Sequence, residues 1–344
     1  MAIVYNSVDI RGVAAEPIFE EILFDNTTVS EGLVSFEEDI KAETIFTESS
    51  VEVTLQAYTC GKPTPAGSQT LFYTVVTPVK FMFYDEFCPD NLRFSRFKRD
   101  MKPGAWETMS AEYERLIMQN YGSDISSQIE NLFWNNVTTA TKTAVAALTA
   151  GTANNQVSTQ EKALVAATVV GPVGAQWDGI VQRMIYNSSN QAQTAGVGAR
   201  IKVVGTTITS SNIKAEYDKL YAAIPAVLLK GKKRTVYIYA PYSHMQMINI
   251  ANNNTSNFKD AFSVTEATQT YYFNGIEIKF VPLPENVMIA APKEHLVWNT
   301  DLLSDMNKVQ IEKVEAASDM WFIKVVMTLQ THIANQRYNV LYVA

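Results

Sequence analysis

Residues 122–151 read GSDISSQIENLFWNNVTTATKTAVAALTAG, and the spacing of their apolar side chains carries the fold assignment. Ile125, Ile129, Leu132, Phe133, Ala140, Ala144 and Ala147 recur at helical steps. At 100° per residue they form one stripe roughly 120° wide, the mark of an amphipathic helix. Ser123 or Asp124 is placed to cap its start, and Gly151 to close its end. About 25 residues at ~1.5 Å each make a rod roughly 40 Å long, longer than most globular helices. An ordinary core helix shares this pattern. What separates the two readings is the setting, strand-rich and turn-punctuated before the rod and mixed α/β after it.

Immediately upstream, Ser110–Tyr121 reads as a short helix with Tyr113, Leu116, Ile117 and Tyr121 on one side, and Gly122 separates it from the rod. Before that, Asp85–Gly104 (DEFCPDNLRFSRFKRDMKPG) interleaves Arg93, Arg96, Lys98, Arg99 and Lys102 with Phe94 and Phe97. Basic and aromatic residues together can grip single-stranded nucleic acid. A solvated or interface face paired with the acidic N-terminus is the simpler reading. From Glu48 to Tyr84, SVEVTLQAYT alternates with period two and QTLFYTVVTPVKFMFY is β-branched and aromatic. The turn cluster CGKPTPAGS lies between them, so the expectation is a long hairpin. A lone hairpin is marginal in water and must lean on other surface. From Met1 to Phe46 the chain is acidic, with a short helix expected at Pro17–Phe24. Too little here builds an independent core, so the segment reads as an arm that packs on something else, apolar hairpin and arm alike seeking cover on another chain.

Downstream, Thr152–Thr207 is poor in charge and rich in Ala, Thr, Asn, Gln, Gly and Ser. It is expected to be loops and short elements on an exposed face, with one short helix around Trp177–Tyr186. Regular structure returns at Thr209, where Ser210 or Ser211 caps a helix carrying Ile213, Tyr217, Leu220, Tyr221 and Ile224 up to Pro225. Thr235–Ala240 is a strand, and Pro241 opens a helix. Asn274-Gly275 fits a tight hairpin turn into IEIKFVP. NVMIAAP and HLVWNTDL follow, then two long strands about a turn near Ala316–Ser318, then a terminal strand, Tyr338–Val343.

A chain of 344 residues with 47% hydrophobic content has ample core for one large or two ordinary domains. Only 18% of residues are charged, and a surface short of charge is often one that partners cover. The net charge of −7 argues against a dedicated nucleic-acid grip. Cys60 and Cys88 are the only cysteines, so no disulfide framework is expected and a reducing compartment is the default. No signal peptide and no transmembrane run are expected.

The search for chemistry is empty. His244, His295 and His332 have no second His, Cys or paired carboxylate at ligand spacing. Gly196, Gly198 and Gly205 in GVGARIKVVG lack the pattern of a phosphate loop, and neither GxSxG nor HExxH occurs. The adjacent carboxylates Asp85-Glu86 and Glu37-Glu38-Asp39 point apart on any regular element and read as solvated. No residue is nominated as catalytic, cofactor-binding or metal-ligating, and an enzyme is not expected.

The order of these parts resembles the major capsid protein of tailed double-stranded-DNA bacteriophages, a fold shared with encapsulin shells. The similarity is densest in ITSSNIKAEYDKLYAAIP, TVYIYAPYSHMQMINIA, FNGIEIKFVPLPENVMIAAPKEHLVWNTDL and MWFIKVVMTLQTHIANQRYNVLYVA. The resemblance implies an α+β fold with an N-terminal arm (1–47) and an E-loop hairpin (48–84). It further implies a P-domain whose first part (85–150) holds the spine helix, an A-domain (151–292) and P-domain return strands (293–344). The function implied is self-assembly into hexamers and pentamers of an icosahedral shell around non-specifically held double-stranded DNA. Implied partners are a separate scaffolding protein, a portal and optionally a decoration protein, with no membrane. The location implied is the virion, after assembly in the host cytoplasm, and the Arg93–Lys102 run is expected at a subunit contact. Some members join subunits through a Lys–Asn isopeptide bond, but nothing marks Lys62, Asn335 or Asn339 as reactive. An encapsulin-type compartment and a phage tail or adhesin module are the alternative readings.

Overall fold

A computed structural model describes residues 8–11, 26–40, 42–58, 60–88, 111–171, 177–186, 199–230, 236–254, 261–265, 269–301, 308–315 and 320–344. At 8–11, 48–52, 70, 72–74, 111–118, 254 and 308 the description is of the backbone alone. The helix expected at Pro17–Phe24, the basic run Arg93–Lys102, Gly196, Gly198 and the turn at Ala316–Ser318 lie outside the described residues.

The N-terminal stretch is not one arm. Strand β1 (Val8–Arg11) pairs antiparallel with Lys308–Ile311. Asn26 caps helix α1 (Thr27–Ser30) by accepting from the Val29 amide. Strand β2 (Ser35–Glu37) pairs in parallel with Val297–Asn299. Leu33, Val34 and Ile40 are buried. The expectation that this segment finds cover outside its own subunit therefore fails for residues 26–40, because a short segment without a core of its own has joined the core beside it.

Strand β3 (Thr44–Val53) and strand β4 (Gly67–Val76) form an antiparallel hairpin running from Thr44↔Val76 to Val53↔Gly67. The second expected strand, drawn through to Tyr84, divides at Thr77-Pro78. Proline has no N–H to give a ladder and locks its own φ. Beyond it, strand β5 (Val79–Phe87) pairs with Trp321–Leu329 in a different sheet. The hairpin therefore spans 44–76 rather than 48–84.

The long rod is also corrected. Helix α2 (Ala111–Asn135) runs straight through Gly122, and helix α3 (Thr139–Ala147) follows after a break at 136–138. Gly122 costs about 1 kcal/mol relative to alanine, too little to end a helix whose later turns are anchored. The break falls instead on Asn136-Val137-Thr138, residues whose side chains compete with helical hydrogen bonding or lose rotamer freedom. The Thr138 side chain accepts from the Thr141 amide as the cap of α3. Asp178 accepts from the Thr138 amide at 2.8 Å and from the Thr141 hydroxyl at 2.6 Å. The Gly179 amide donates to Asn136 O at 2.7 Å. A Cβ at Gly179 would stand 2.7–2.8 Å from backbone atoms of residues 134–136, so only glycine permits this approach. Rephased by the break, α3 buries Thr141 and Val145 and leaves Ala140 and Ala147 exposed.

Parts of the region expected to be exposed loops and short elements are built into the core. Helix α4 (Thr159–Ala167) opens with a Ser158/Glu161 capping box. Helix α5 (Ile180–Ile185) is buried along its length, apart from Arg183, as is Trp177 before it. Strand β6 (Ile201–Val204) follows. Arg200 and Glu161 form a fully buried ion pair, Nη2 to Oε1, at 2.5 Å. Helix α5 answers to the short helix expected around Trp177–Tyr186, whereas α4 and β6 were not expected, their cover coming from distant parts of the chain.

Helix α6 (Ile213–Ala223) stops before Pro225, with Asn212 rather than Ser210 or Ser211 at the cap position. A single turn, α7 (Ala226–Leu229), leads to strand β7 (Val236–Pro241) and helix α8 (Tyr242–Asn254). Strands β8 (Phe262–Thr265), β9 (Thr270–Phe273) and β10 (Ile276–Val281) form a meander. Asn274 and Gly275 turn between the last two with φ of 47° and 78°, the left-handed pair a two-residue hairpin needs. Strands β11 (Val287–Pro292), β12 (Leu296–Thr300), β13 (Lys308–Lys313), β14 (Trp321–Ile333) and β15 (Val340–Val343) complete the chain.

One seven-stranded sheet has the order β6-β15-β11-β7-β10-β9-β8. A six-stranded sheet orders β1-β13-β14-β12-β2, with β5 also on β14. The terminal strand, expected to return with β12–β14, lies instead in the seven-stranded sheet between β6 and β11. Both faces of that sheet are covered. Val287, Ile289 and Ala291 enter one apolar cluster, and Met288 and Ala290 the other. That is why VMIAAP reads as a continuous apolar run rather than an alternating one. The C-terminal end of α2 joins the two sheets. Phe133 stacks on Trp298 of β12 at 4.4 Å, and Trp134 lies 5.3 Å from Tyr239 of β7.

Candidate assembly surfaces

Alternation along a ladder places Ile45, Val53 and Leu71 on one face of the β3–β4 hairpin. Ile45 is 60% exposed and Val53 73%. At the tip, Leu55 and Tyr58 are 93% and 92% exposed. Ten residues per strand at ~3.4 Å carry this apolar surface roughly 34 Å from the root. The tip is closed by the Gln56 side-chain amide donating to Thr64 O at 2.7 Å. Among the described side chains the embedded part is the root, where Val76 is fully buried and the Phe46 ring stacks on His332 at 4.9 Å.

A second surface lies beside β5. Leu329 pairs with Val79 and with Thr300, so β5 occupies one edge of β14 while β13 and β12 share the other. Among the described residues no strand covers the outer edge of β5. Next to that edge a cavity of about 700 Å³ is walled by Phe81, Met82, Phe83, Ile125, Ile129 and Leu132, with Lys80 and Lys324 among its polar lining. Tyr121 of α2 holds the strand against the helix by donating to Asp85 Oδ2 at 2.6 Å. The residue that separates β5 from the hairpin is Pro78, which splits the apolar run. The docking of α1 had no local signal. Glu130 of α2 accepts from the Thr28 amide and hydroxyl and from the Thr27 hydroxyl, and Trp134 Nε1 donates to Thr28 Oγ1.

The three histidines are buried or half-buried. His244 is buried, donates through Nε2 to Glu285 O at 2.9 Å and accepts at Nδ1 from Tyr217 Oη at 3.1 Å. Burial lowers its pKa to about 4, opposed only in part by the Glu285 carbonyl. His295 Nδ1 bonds Asn339 Oδ1 at 2.8 Å, and burial lowers its pKa. His332 is buried without a partner on either nitrogen, and burial followed by the Arg183 charge lowers its pKa to about 3. Folded-state values below the ordinary 6.5 mean that neutral rings stabilise the fold fully above pH 6.5, and that this stability drains as pH falls toward 4 and 3. At pH 5 each ring is expected to cost roughly 2 kcal/mol. Urea-unfolding midpoints between pH 8 and 5 measure that slope, and His244→Gln should remove its share.

Among the described residues no group of three or more His, Cys, Asp or Glu could hold a metal ion, and no helix is long and apolar enough to cross a membrane. Cys60 is exposed and Cys88 half-buried, both as free thiols. Lys62 is exposed at the hairpin tip, Asn335 Oδ1 accepts from the Arg337 amide, and Asn339 is buried against His295. Gly205 lies under the Tyr342 ring, where a Cβ has no room, which accounts for that glycine without a phosphate. Glu37 is half-buried, with its pKa raised by burial, whereas Asp85 is held by Tyr121.

No protein-family model matches the chain, and no curated protein matches it. Solved structures do. The two sheets, the helix between them and the projecting hairpin define the shell-building class of fold found in tailed-phage major capsid proteins, and the chain has that fold. A chain of the satellite phage P4 procapsid that includes the size determination (Sid) protein matches with TM-score 0.54 at 11% identity, over 98% of this chain and 93% of its own. A chain of Mycobacterium phage Bobi matches with TM-score 0.52 at 10% identity, over 92% and 90%. A chain of the cyanophage A-1(L) capsid asymmetric unit matches with TM-score 0.50 at 13% identity, over 92% of each chain.

Proposed function

We propose that this protein is the structural subunit of a tailed-phage capsid shell, assembling with copies of itself around double-stranded DNA. The observation that carries this reading is the hairpin, whose apolar face and tip stand free of their own subunit on a chain with a capsid-type fold. Burying exposed side chains such as Val53, Leu55 and Tyr58 in a neighbour would contribute roughly 25 cal/mol per Å² removed from water. Many modest contacts repeated around a closed lattice then sum to a stable shell. In the domain terms of that fold, residues 44–76 serve as the E-loop and α2 as the spine helix. The six-stranded sheet corresponds to the P-domain, and the seven-stranded sheet, with β15 inside it, to the A-domain. The role is structural rather than enzymatic. Scaffolding and portal proteins, hexameric and pentameric capsomers, non-specific DNA contact and the virion as final location complete the reading.

The test is expression with and without the co-encoded scaffolding protein, followed by electron microscopy. Closed shells are expected from the unaltered chain. The double variant Val53→Asp/Leu71→Asp should lower the yield of shells at least tenfold while leaving the subunit's circular dichroism unchanged. Strictly monomeric subunits under every condition, or variant shells at full yield, would refute the proposal. Nucleic acid inside the particles supports the phage reading, and a protein cargo in its place the encapsulin-type compartment.

A further inference from the structure

The root of the hairpin meets an unusual surface at His332. Along β14, Leu329 and Ile333 enter the core beneath α2, so Thr328, Gln330 and His332 face the other way. Register pairs Gln330 with Asn299 and His332 with Val297, which adds Asn299 to the same face. All four polar residues are buried. Thr328 Oγ1, Gln330 Oε1, both amide atoms of Asn299 and both ring nitrogens of His332 lack any hydrogen-bond partner. Buried polar groups in native proteins are nearly always satisfied, and a group of exceptions calls for an explanation. What lies over His332 is the hairpin root, through the Phe46 ring inclined at 28° to it, with the root residue Val76 buried too. Further along β3 and β4 the described side chains are mostly exposed, so the subunit itself offers the hairpin little hold beyond its root.

We propose that the hairpin is hinged at its root over this polar patch and that His332 is the latch, releasing in mildly acidic solution and holding at neutral pH. Lifting the root lets water reach the two unpartnered ring nitrogens of His332, which offsets the cost of exposing Phe46 and Val76. The closed state accepts only the neutral ring. In the closed state neither ring nitrogen of His332 makes a hydrogen bond that would hold an added proton, and the charge acting on the ring is the cation of Arg183 from α5. Other titratable groups around the patch are Glu37 on β2, Asp301 after β12, His295 before it and Lys80 on β5, opposite Thr328. Root residues 44–47 and 75–78 contribute none. Glu37, its pKa raised by burial, works in the opposite sense, since acid neutralises it and favours the closed face. The hinge does not depend on the shell reading, because it is a property of the isolated subunit.

Backbone hydrogen exchange, corrected for the intrinsic effect of pH, tests it at residues 44–47 and 328–333 between pH 7.5 and 5.5. The open population should rise about tenfold per pH unit below ~6.5 in the unaltered chain. His332→Phe, which keeps a ring against Phe46, should show no such slope. A flat profile in the unaltered chain, or the same slope in the variant, overturns the proposal. Should the variant not fold, C2–H exchange of the His332 ring in the unaltered chain decides. A titration midpoint well below 6 is expected, and one near 6.5 overturns the latch. Either failure leaves the shell reading standing, because that rests on particles and not on pH.

Discussion

Replacing Arg200 by methionine is expected to destabilise the subunit by about 3–5 kcal/mol, the usual result of removing one partner of a buried ion pair. Arg200 and Glu161 are both fully buried, and Nε and Nη2 of the guanidinium donate to the same carboxylate oxygen, Oε1, at 3.1 and 2.5 Å. The other oxygen, Oε2, accepts from the Ser158 amide at 2.7 Å and so starts α4. Without Arg200 the buried Glu161 side chain loses its ion-pair partner, leaving the Ser158 amide and the more distant Lys202 ammonium as the groups that face it. The fault would spread to β6, which begins at Ile201, and to the start of α4. The double variant Arg200→Met/Glu161→Gln should recover most of the loss, since a neutral amide can still accept from Ser158 and no charge is stranded. Urea-unfolding midpoints of the three proteins measure this. A single variant within about 1 kcal/mol of the parent would show that water reaches the pair.

Trp134→Ala should cost a similar amount, about 3–5 kcal/mol for the transfer and cavity terms of a fully buried tryptophan. Its ring stands edge-on to Phe133 and tilted on Tyr239, both at 5.3 Å, so it fills the space where α2 meets the seven-stranded sheet. Its Nε1 donates at 3.0 Å to Thr28, which in turn donates to Glu130. Losing the ring therefore opens a cavity and also loosens α1, so cleavage within residues 26–40 by a protease should accelerate along with the drop in unfolding midpoint. Trp134→Phe retains most of the volume and loses the N–H, and about 1–2 kcal/mol is expected. Equal losses in the two variants would assign the effect to the hydrogen bond rather than to the packing.

Much of the fold was legible locally. Asn274-Gly275 can be read as a turn because two consecutive left-handed residues are rare outside that pair, and the structure has φ of 47° and 78° there. Ile213–Ala223 is readable from its 3.6-residue spacing and the proline that ends it. The hairpin was legible in outline, from alternation and a turn cluster. The order of elements also led to the capsid-type fold that the solved structures share.

By itself, then, the sequence determined part of what is governed by neighbours a few residues apart: the Asn274-Gly275 turn, the spacing of Ile213–Ala223 and the outline of the hairpin. The tertiary structure decided what depends on partners far along the chain. Gly122 remains helical while Asn136–Thr138 breaks, because Asp178 and Gly179, some forty residues on, satisfy the broken backbone. Residues 26–40 belong to the core because Glu130, Trp134 and the Tyr239 hydroxyl, which donates to Leu33 O at 2.6 Å, receive them. Strand β15 joins the seven-stranded sheet because the edges of β11 and β6 were open to it, and no pattern within VLYV could say which sheet would take it. Backbone hydrogen bonds and apolar faces are satisfied by whichever surface is within reach, and reach is a property of the folded chain.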